Sequence, residues 1–583
     1  MADERKERKE LKSFGALLKH LGGTPEEAPP PPPPVEELAS EEDDALPEDG
    51  FARELIDAMG SSFGPMETGP DCYGDVESEE MELLATFRVR TVFPESVLKE
   101  AAALPRDPSE EDIAGRLDLR RERIFTIDGA DAKDFDDAIS IKRTDDGGHE
   151  VGVHIADVSH YVEAGTFLDA EALTRATSVY LADQVVPMLP EALSNELCSL
   201  MPHRERLAYS VFMTFDAAGQ RHAVRIAKSV IRSMHRCTYQ NVQKLLDKVD
   251  DEATRALADI ADDLRLFEVW TKQQQKLRDA RGSLRLQSGE RKFAFNARHE
   301  VERIYRAETY FSQALIEETA LAANQAVGDF FRERKLPTIY RLHPEKDAQE
   351  LAATIAQLAK FGIRVPEREH LSGRDIGRLI LQARRRPNPE ATIARIMSLM
   401  ERAVYELVPP GGEAKHFGLA RQHYLHFTSP IRRYPDLIVH RWLHELQSRD
   451  AHAELELLED AEMQNLCDVA SHASAAADMA GLVEAAVGDL KVCQYMHGHV
   501  GEEFTTMIER VSPWGLDLLL AEHHVHLFLP SRSLDGRKQV EGPRMRVTSR
   551  HGNRTFDEGE RLSVCIDGVD FVRLQVLVSL AKS

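Results

Sequence analysis

Five aspartates, Asp128, Asp131, Asp134, Asp136 and Asp137, crowd the stretch T-I-D-G-A-D-A-K-D-F-D-D-A-I-S-I that runs from Thr126 to Ile141. The flanks R-I-F-T-I (123–127) and A-I-S-I (138–141) are β-branched and apolar and read as strands, which leaves the acids on a short connection between buried elements. Carboxylates packed that closely repel one another, and burial raises the cost. Such a turn is stable only if some members stay protonated or a cation neutralises them. A solvated acidic turn is the alternative, but only Lys133 offsets the charge and the flanks are too apolar for a free surface loop. An EF-hand fails on spacing, because counting from Asp128 or Asp131 no glycine falls sixth with a glutamate twelfth. Hard oxygen donors suit Mg²⁺, Mn²⁺ or Ca²⁺ rather than zinc or copper. The chemistry expected is that of a catalytic metal site, with coordination positions left for water and a phosphate, as in phosphodiester cleavage.

A second constellation lies at H-F-T-S-P-I-R-R-Y-P-D-L, residues 426–437. Ser429-Pro430 reads as an N-cap followed by proline in the first helical position, which would put Arg432 and Arg433 at an anion-binding helix end. A guanidinium there would neutralise charge developing on a phosphate. Pairing of Arg433 with Asp436 to fix the turn is the structural alternative for one of the two arginines.

The elements that must position these groups change character along the chain. Strand patterns are expected at 86–93, 123–128, 139–143, 150–157 and 208–215, the last joined through D-A-A-G-Q to a strand at 222–231 as a hairpin. After Tyr239 helical periods dominate, at 242–249, 253–275, 307–333, 348–361, 376–383, 391–405 and 435–447, with an alanine-rich helical hairpin over 455–494. A sheet followed by helices predicts an α+β catalytic domain over residues 81–495. Residues 496–583 alternate in short runs and predict a small all-β barrel. There Phe504, Trp514 and Phe528 precede Arg537, Lys538, Arg544, Arg546 and Arg550, a combination that suits single-stranded nucleic acid, or else a barrel core beside a solvated hairpin.

Residues 1–80 differ in texture. A helical period over 5–22 ends at Gly22-Gly23, six prolines (29–34) run into acids, and a second helix is expected at 51–59, either as a small helix-turn-helix module or as a flexible arm. The net charge of −26 excludes a protein that coats nucleic acid non-specifically, although not one with a narrow basic channel. About −15 of it falls in the first hundred residues, which hold 25 acids and 10 bases. Six scattered cysteines without a C-x-x-C pair disfavour zinc and a disulfide framework. No apolar leader, transit-type start or long apolar span is present in the sequence, so a soluble cytoplasmic protein with no membrane contact is expected.

The acidic run, the segment V-H-I-A-D-V-S-H-Y-V (153–162), S-V-Y-L (178–181), P-M-L-P (187–190), L-S-N (193–195), A-R-G (280–282), E-E-T (317–319) through Ala323-Asn324, and the 426–437 block together resemble the ribonuclease II and ribonuclease R (RNB) family of 3′-to-5′ exoribonucleases. The likeness covers about 92–490, and the C-terminal barrel is similar to that family's OB-fold RNA-binding domain of the ribosomal-protein S-one type. The resemblance implies Mg²⁺, with Mn²⁺ as a substitute. It implies Asp128, Asp134 and Asp137 as metal ligands, and Asp136 as the group tied to cleavage through a second metal or the attacking water. Asp131 is then an extra carboxylate. Tyr180 matches the tyrosine that stacks on the 3′-terminal base, Arg432 the arginine at the scissile phosphate, and Glu484 the glutamate that anchors the terminal nucleotide, although Ala485 stands where an arginine is usual. The implied activity is hydrolysis of single-stranded RNA from its 3′ end to nucleoside 5′-monophosphates, by a monomer. Family members carry two cold-shock-type barrels ahead of the catalytic domain. About eighty residues here, nearly half linker-like, leave no room for one, so these barrels are expected to be absent, with an entrance open to structured RNA.

Overall fold

The computed structural model describes residues 78–581 except 285–290, 367, 369, 387–388, 449–459 and 551. The helices expected at 5–22 and 51–59, the proline run, the acidic tract and the expected absence of cold-shock barrels all concern residues outside those described.

Nine strands belong to the part of the chain around the acidic turn. They are β1 (Leu117–Leu119), β2 (Phe125–Asp128), β3 (Asp137–Arg143), β4 (His149–Ala156), β5 (Val179–Tyr180), β6 (Val185–Val186), β7 (Glu205–Phe215), β8 (Arg221–Arg232) and β9 (His235–Thr238). Seven make one mixed sheet in the order β1-β8-β7-β4-β3-β2-β9, and β5 and β6 pair separately as a short hairpin. The β7–β8 hairpin turns where its residue types demand. Asp216 accepts from the amides of Ala218 and Gln220, each at 2.9 Å, and Gly219 takes a φ of 81°. β4 and β7 are buried at nearly every position, as strands are when both faces are covered. Phe267 and Trp270 of the helix Ala261–Arg281 meet Phe125 and Phe215 edge-on, while Tyr209 packs against Phe427 and His440. The polar groups buried inside this sheet satisfy one another. Ser140, His154, Ser210 and Ser229 bond in a chain across β3, β4, β7 and β8 at 3.0, 2.7 and 2.6 Å, so His154 is a core residue.

The structure departs from the sequence periods in several places, among them the helix expected at 253–275, which is broken before Ala261. Residues 86–93 are not a strand. The helix Ser78–Thr86 takes up the first of them, a turn with Arg88 at a φ of 54° follows, and the run beyond has no ladder partner, its alternation reflecting burial of Val89, Thr91 and Phe93. The helix expected over 391–405 stops at Met397, and Val404–Val408 pairs with Thr338–Leu342. A hairpin of Arg291–Phe295 and Val301–Arg306 lies where no strand was expected. Finally, Asp460–His497 is one continuous helix of 38 residues instead of a hairpin. Alanine and glycine supply its small faces, and nothing in that stretch stops a helix.

Beyond it, Glu503–Ser512, Gly515–Leu520, Val525–Pro530, Arg561–Asp570 and Gln575–Leu580 close a five-stranded barrel, with a three-stranded sheet from Arg537–Glu541, Arg544–Ser549 and Gly552–Asp557 beside it. The expected class, an α+β domain followed by an all-β OB-type barrel, is the architecture observed. The barrel is fastened to the helical half. Arg395 bonds both carboxylate oxygens of Glu558, at 2.9 and 2.6 Å, and Gly542 sits where a Cβ would come within 2.4 Å of the Lys360 carbonyl oxygen. The described cysteines 198, 237, 467, 493 and 565 are free thiols.

Candidate active site

Asp128 ends β2 and Asp137 begins β3, and the two strands share only the pair Phe125↔Ile139, so the acidic turn is splayed open between them. Three neighbours shape it. Arg236 on β9 donates through Nη2 to the carbonyls of Gly129 (2.8 Å), Ala130 and Ala132 (3.3 Å), with its guanidinium 5.5 Å from the Phe135 ring. Ser199 Oγ accepts from the Phe135 amide at 3.0 Å and donates to the Lys133 carbonyl at 2.7 Å. The carbonyl of Asp136 accepts from the Ala156 amide at 2.9 Å. The turn is thereby closed by backbone bonds that leave its carboxylates free to face the site.

Those carboxylates are electrostatically strained. Asp136 is 4% exposed; its Oδ1 accepts from the Ile431 amide at 2.9 Å, while its Oδ2 is buried without a hydrogen-bond partner, 3.7 Å from Arg432 Nε. Burial raises its pKa well above the usual range, against the pull of Arg432. Burial and then the charge of Asp137 raise Asp128, whose Oδ2 is likewise buried and unpartnered. Burial also raises Asp137, against Arg432 and Arg433. Removing water from neighbouring carboxylates penalises their charged forms, and a cation would reverse the penalty. Asp131 is exposed on the outside of the turn and takes no part in this group.

Tyr180 closes the other side. Its hydroxyl donates to Asp134 Oδ2 at 3.3 Å, its amide donates to Glu484 Oε1 on the long helix at 2.9 Å, and 38% of its surface stays exposed. The segment ahead of it is stitched to the arginine turn. The Arg432 carbonyl accepts from the Ser178 amide (3.0 Å) and the Thr177 hydroxyl (3.2 Å), and the Tyr434 amide donates to the Ala176 carbonyl at 2.9 Å. Two main-chain bonds and a threonine hydroxyl, the last joining residues 255 positions apart, thus hold the two segments together.

The arginine turn itself is built differently from its sequence pattern. The helix starts at Tyr434, so Ser429 is no N-cap and Pro430 no first helical residue. Residues 429–433 instead form a turn in which the Arg432 and Arg433 amides donate to the Ser429 carbonyl. Asp436 anchors it. Its carboxylate accepts from the Ser429 amide at 2.8 Å and from Arg433 at 2.9 and 2.8 Å, which spends Arg433 on structure. Arg432 is half-buried and bonds the Ser429 hydroxyl at 3.1 Å, next to Asp136. The structure therefore gathers Asp128, Asp134, Asp136, Asp137, Tyr180, Arg432 and Glu484. Arg236 and Ser199 were not singled out in the sequence. Neither carried a signal, since Arg236 lies in S-M-H-R-C-T beyond the last expected strand.

Among the described residues no three His, Cys, Asp or Glu side chains converge closely enough to hold a metal ion by themselves. The unpartnered buried oxygens of Asp128 and Asp136 nonetheless fit a hard cation held by one or two carboxylates and completed by water and a substrate phosphate, the coordination that Mg²⁺ prefers.

The mixed sheet with its helices and the closed barrel match solved structures of ribonuclease R. That of Mycoplasma genitalium RNase R in complex with ribose-methylated single-stranded RNA matches with a TM-score of 0.75 at 25% identity, covering 87% of this chain and 79% of that one. Residues 116–449 match the RNB domain, and the chain belongs to the RNB family. It is 37% identical over 442 residues to Ribonuclease R 1 of Lactococcus lactis, covering 75% of this chain and 52% of that protein. It is 33% identical over 505 residues to Ribonuclease R of Escherichia coli, covering 86% and 62%. The chain thus spans between half and two thirds of the length of these relatives. Among the described residues no helix is long and apolar enough to cross a membrane.

Proposed function

We propose that the chain is an exoribonuclease that hydrolyses single-stranded RNA from its 3′ end, releasing nucleoside 5′-monophosphates, with Mg²⁺ as its cofactor and Mn²⁺ able to replace it. The observation that carries this reading is the convergence on one point of an unpartnered buried carboxylate oxygen (Asp136 Oδ2), a half-buried guanidinium (Arg432) and an exposed tyrosine (Tyr180) tethered to Asp134 and Glu484. Its resemblance to ribonucleases of the RNB family supports the RNA substrate.

Asp128, Asp134 and Asp137 would hold the metal directly or through water, and the metal when bound would neutralise phosphate charge and make its water a stronger acid. The protein's own groups do the rest. Tyr180 takes the 3′-terminal base on its open face, which stops the strand with its last phosphodiester beside Asp136. Asp136 receives the proton of the attacking water at Oδ2. The water oxygen bonds to phosphorus, the bond from phosphorus to the 3′ oxygen of the penultimate nucleotide breaks, and that oxygen is protonated as it leaves. Arg432 neutralises the charge that builds on the phosphate oxygens. Glu484 acts through the main chain of Tyr180, holding the stacking face in place.

The strand is gripped further out by the barrel. Trp514 is 61% exposed, whereas Phe504 and Phe528 are half-buried, so Trp514 is the aromatic open to a base. Duplex RNA with a 3′ overhang is a second substrate in this reading, supported by the complex of M. genitalium RNase R with double-stranded RNA. The test uses one oligoribonucleotide labelled at either end, with and without Mg²⁺. Immediate release of mononucleotide from the 3′ label, and none of it without metal or in Asp136→Asn, is expected; internal fragments, or cleavage by Asp136→Asn at the wild-type rate, would overturn the reading. Loss of cleavage in the wild type with RNA binding retained would mark a silent RNA-binding scaffold instead.

A further inference from the structure

The hairpin that carries Tyr180 has only two residue pairs, Val179↔Val186 and Tyr180↔Val185. An isolated two-stranded hairpin is marginal in water, so its stiffness must be supplied from outside. A small hydrophobic core separate from the main one supplies part of it. This core is assembled from three pieces of chain: Leu84 and Val89 of the N-terminal segment, Leu181 and Val186 of the hairpin, and Met479, Val483 and Val487 of the helix that carries Glu484.

Polar ties bracket the same hairpin. At its turn, Lys491 and Glu80, 1% and 1% exposed, pair at 2.9 Å. Gln184 Nε2 donates to Glu80 Oε1 at 3.1 Å, and Asp183 stands 3.9 Å from the Lys491 ammonium. At its base, Arg175 donates to the carbonyls of Pro187 (3.0 Å) and Val92 (2.9 Å) and to Glu171 (2.8 Å). Arg90 bonds both oxygens of Glu171 at 3.1 and 2.9 Å. A buried ion pair is poor value as a stabiliser, since well-packed apolar side chains of similar volume do as well or better, but it holds its partners in one geometry.

We propose that residues 78–93 are a positioning strut for the 3′-terminal nucleotide pocket, in which the buried Glu80–Lys491 pair locks the turn of the Tyr180 hairpin to the helix that carries Glu484. This rests on the exoribonuclease reading above and names a determinant of its terminal subsite. Glu80 and Lys491 touch no substrate; they act through Tyr180 and Glu484, and a stacking group no longer held in place loses part of the binding energy of the terminal base.

The test uses the full chain with Glu80→Gln, Lys491→Met and the apolar pair Glu80→Leu/Lys491→Met. Amide hydrogen exchange over 179–186 reads the strut without reference to activity, and thermal denaturation, KM, kcat and the length of the shortest RNA left undegraded complete the set. Each single variant is expected to speed exchange across the hairpin, raise KM on the order of tenfold with kcat little changed, and lengthen the residual RNA. The apolar double variant is expected to recover thermal stability without recovering KM or exchange protection. Lower stability with KM and exchange unmoved, or full recovery of every readout in the double variant, would overturn the proposal by showing a merely structural pair. If the wild type released no mononucleotide, the functional reading would fall alone, because exchange still decides the strut.

Discussion

Asp136 concentrates the chemistry at the scale of single residues, because one of its oxygens is fixed by the Ile431 amide and the other is buried with nothing to bond. Its replacement by asparagine keeps the shape and removes the proton acceptor. Asp136→Asn is therefore expected to lower kcat by at least 10³-fold, with the dissociation constant for a labelled oligoribonucleotide nearly unchanged. Arg236 is the complementary case. It reaches three carbonyls of the acidic turn and sits close enough to Asp128 to oppose its protonation, so it shapes the turn without touching the arginine side of the site. Arg236→Gln is expected to raise the Mg²⁺ concentration for half-maximal cleavage roughly tenfold, in line with the usual cost of losing a residue that orients metal ligands. An unchanged metal titration would show that the turn holds its own shape. Of the five aspartates, Asp131 was set apart by resemblance alone, and its exposed position outside the turn supplies the physical reason.

Between elements, the strongest device is the joint between β4 and the short helix that follows it. Asp157, 1% exposed, receives Arg116 at 2.8 Å, Lys228 at 3.1 Å and the Ser159 hydroxyl at 2.7 Å. Burial opposes its ionisation, but Lys228 and Arg116 outweigh it and hold the carboxyl far below the usual carboxylate range. A carboxyl whose pKa is lowered by folding adds stability that is complete above its unfolded value, about 4, and is lost as pH falls from there toward the folded value. Asp157→Asn is thus expected to cost about 3 kcal/mol at neutral pH, and the difference from wild type should shrink steadily in denaturation curves taken below about pH 4. A difference that stayed constant with pH would mean that packing, and not charge, is what Asp157 contributes. The element-level misreadings have a common cause. Residues 87–93 alternate in burial as a strand does although they begin with a turn, and an alanine-rich run reads equally well as one long helix or two, so periodicity without partners leaves both unresolved.

For the whole molecule, positive charge without an ion-pair partner among the described residues remains beside the barrel of an acidic protein. Against a net charge of −26, the sheet beside the barrel and its approach expose Arg532, Arg537, Arg546 and Arg550, none of which makes an ion pair among the described residues. Arg544 in the same sheet is occupied by Asp557 at 2.6 Å. Arg537→Ala and Arg546→Ala should each weaken binding of long oligoribonucleotides and reduce the slope of log K against log salt by about one, while Arg544→Ala should change that slope little. Equal slopes for all three would place the RNA elsewhere. The acidic turn, the 426–437 block, the sheet-then-helices order and the barrel were all legible in the sequence, because residue type and short-range period determine which segments are strands, turns or helices and which carry crowded charge. The tertiary structure alone decided how the charges are spent. It left Arg432 beside Asp136, brought Arg236 and Ser199 under the acidic turn, and set Tyr180 between Asp134 and Glu484. Those choices depend on contacts between residues scores to hundreds of positions apart, and a carboxylate or guanidinium carries no mark of its partner until burial and distance select one.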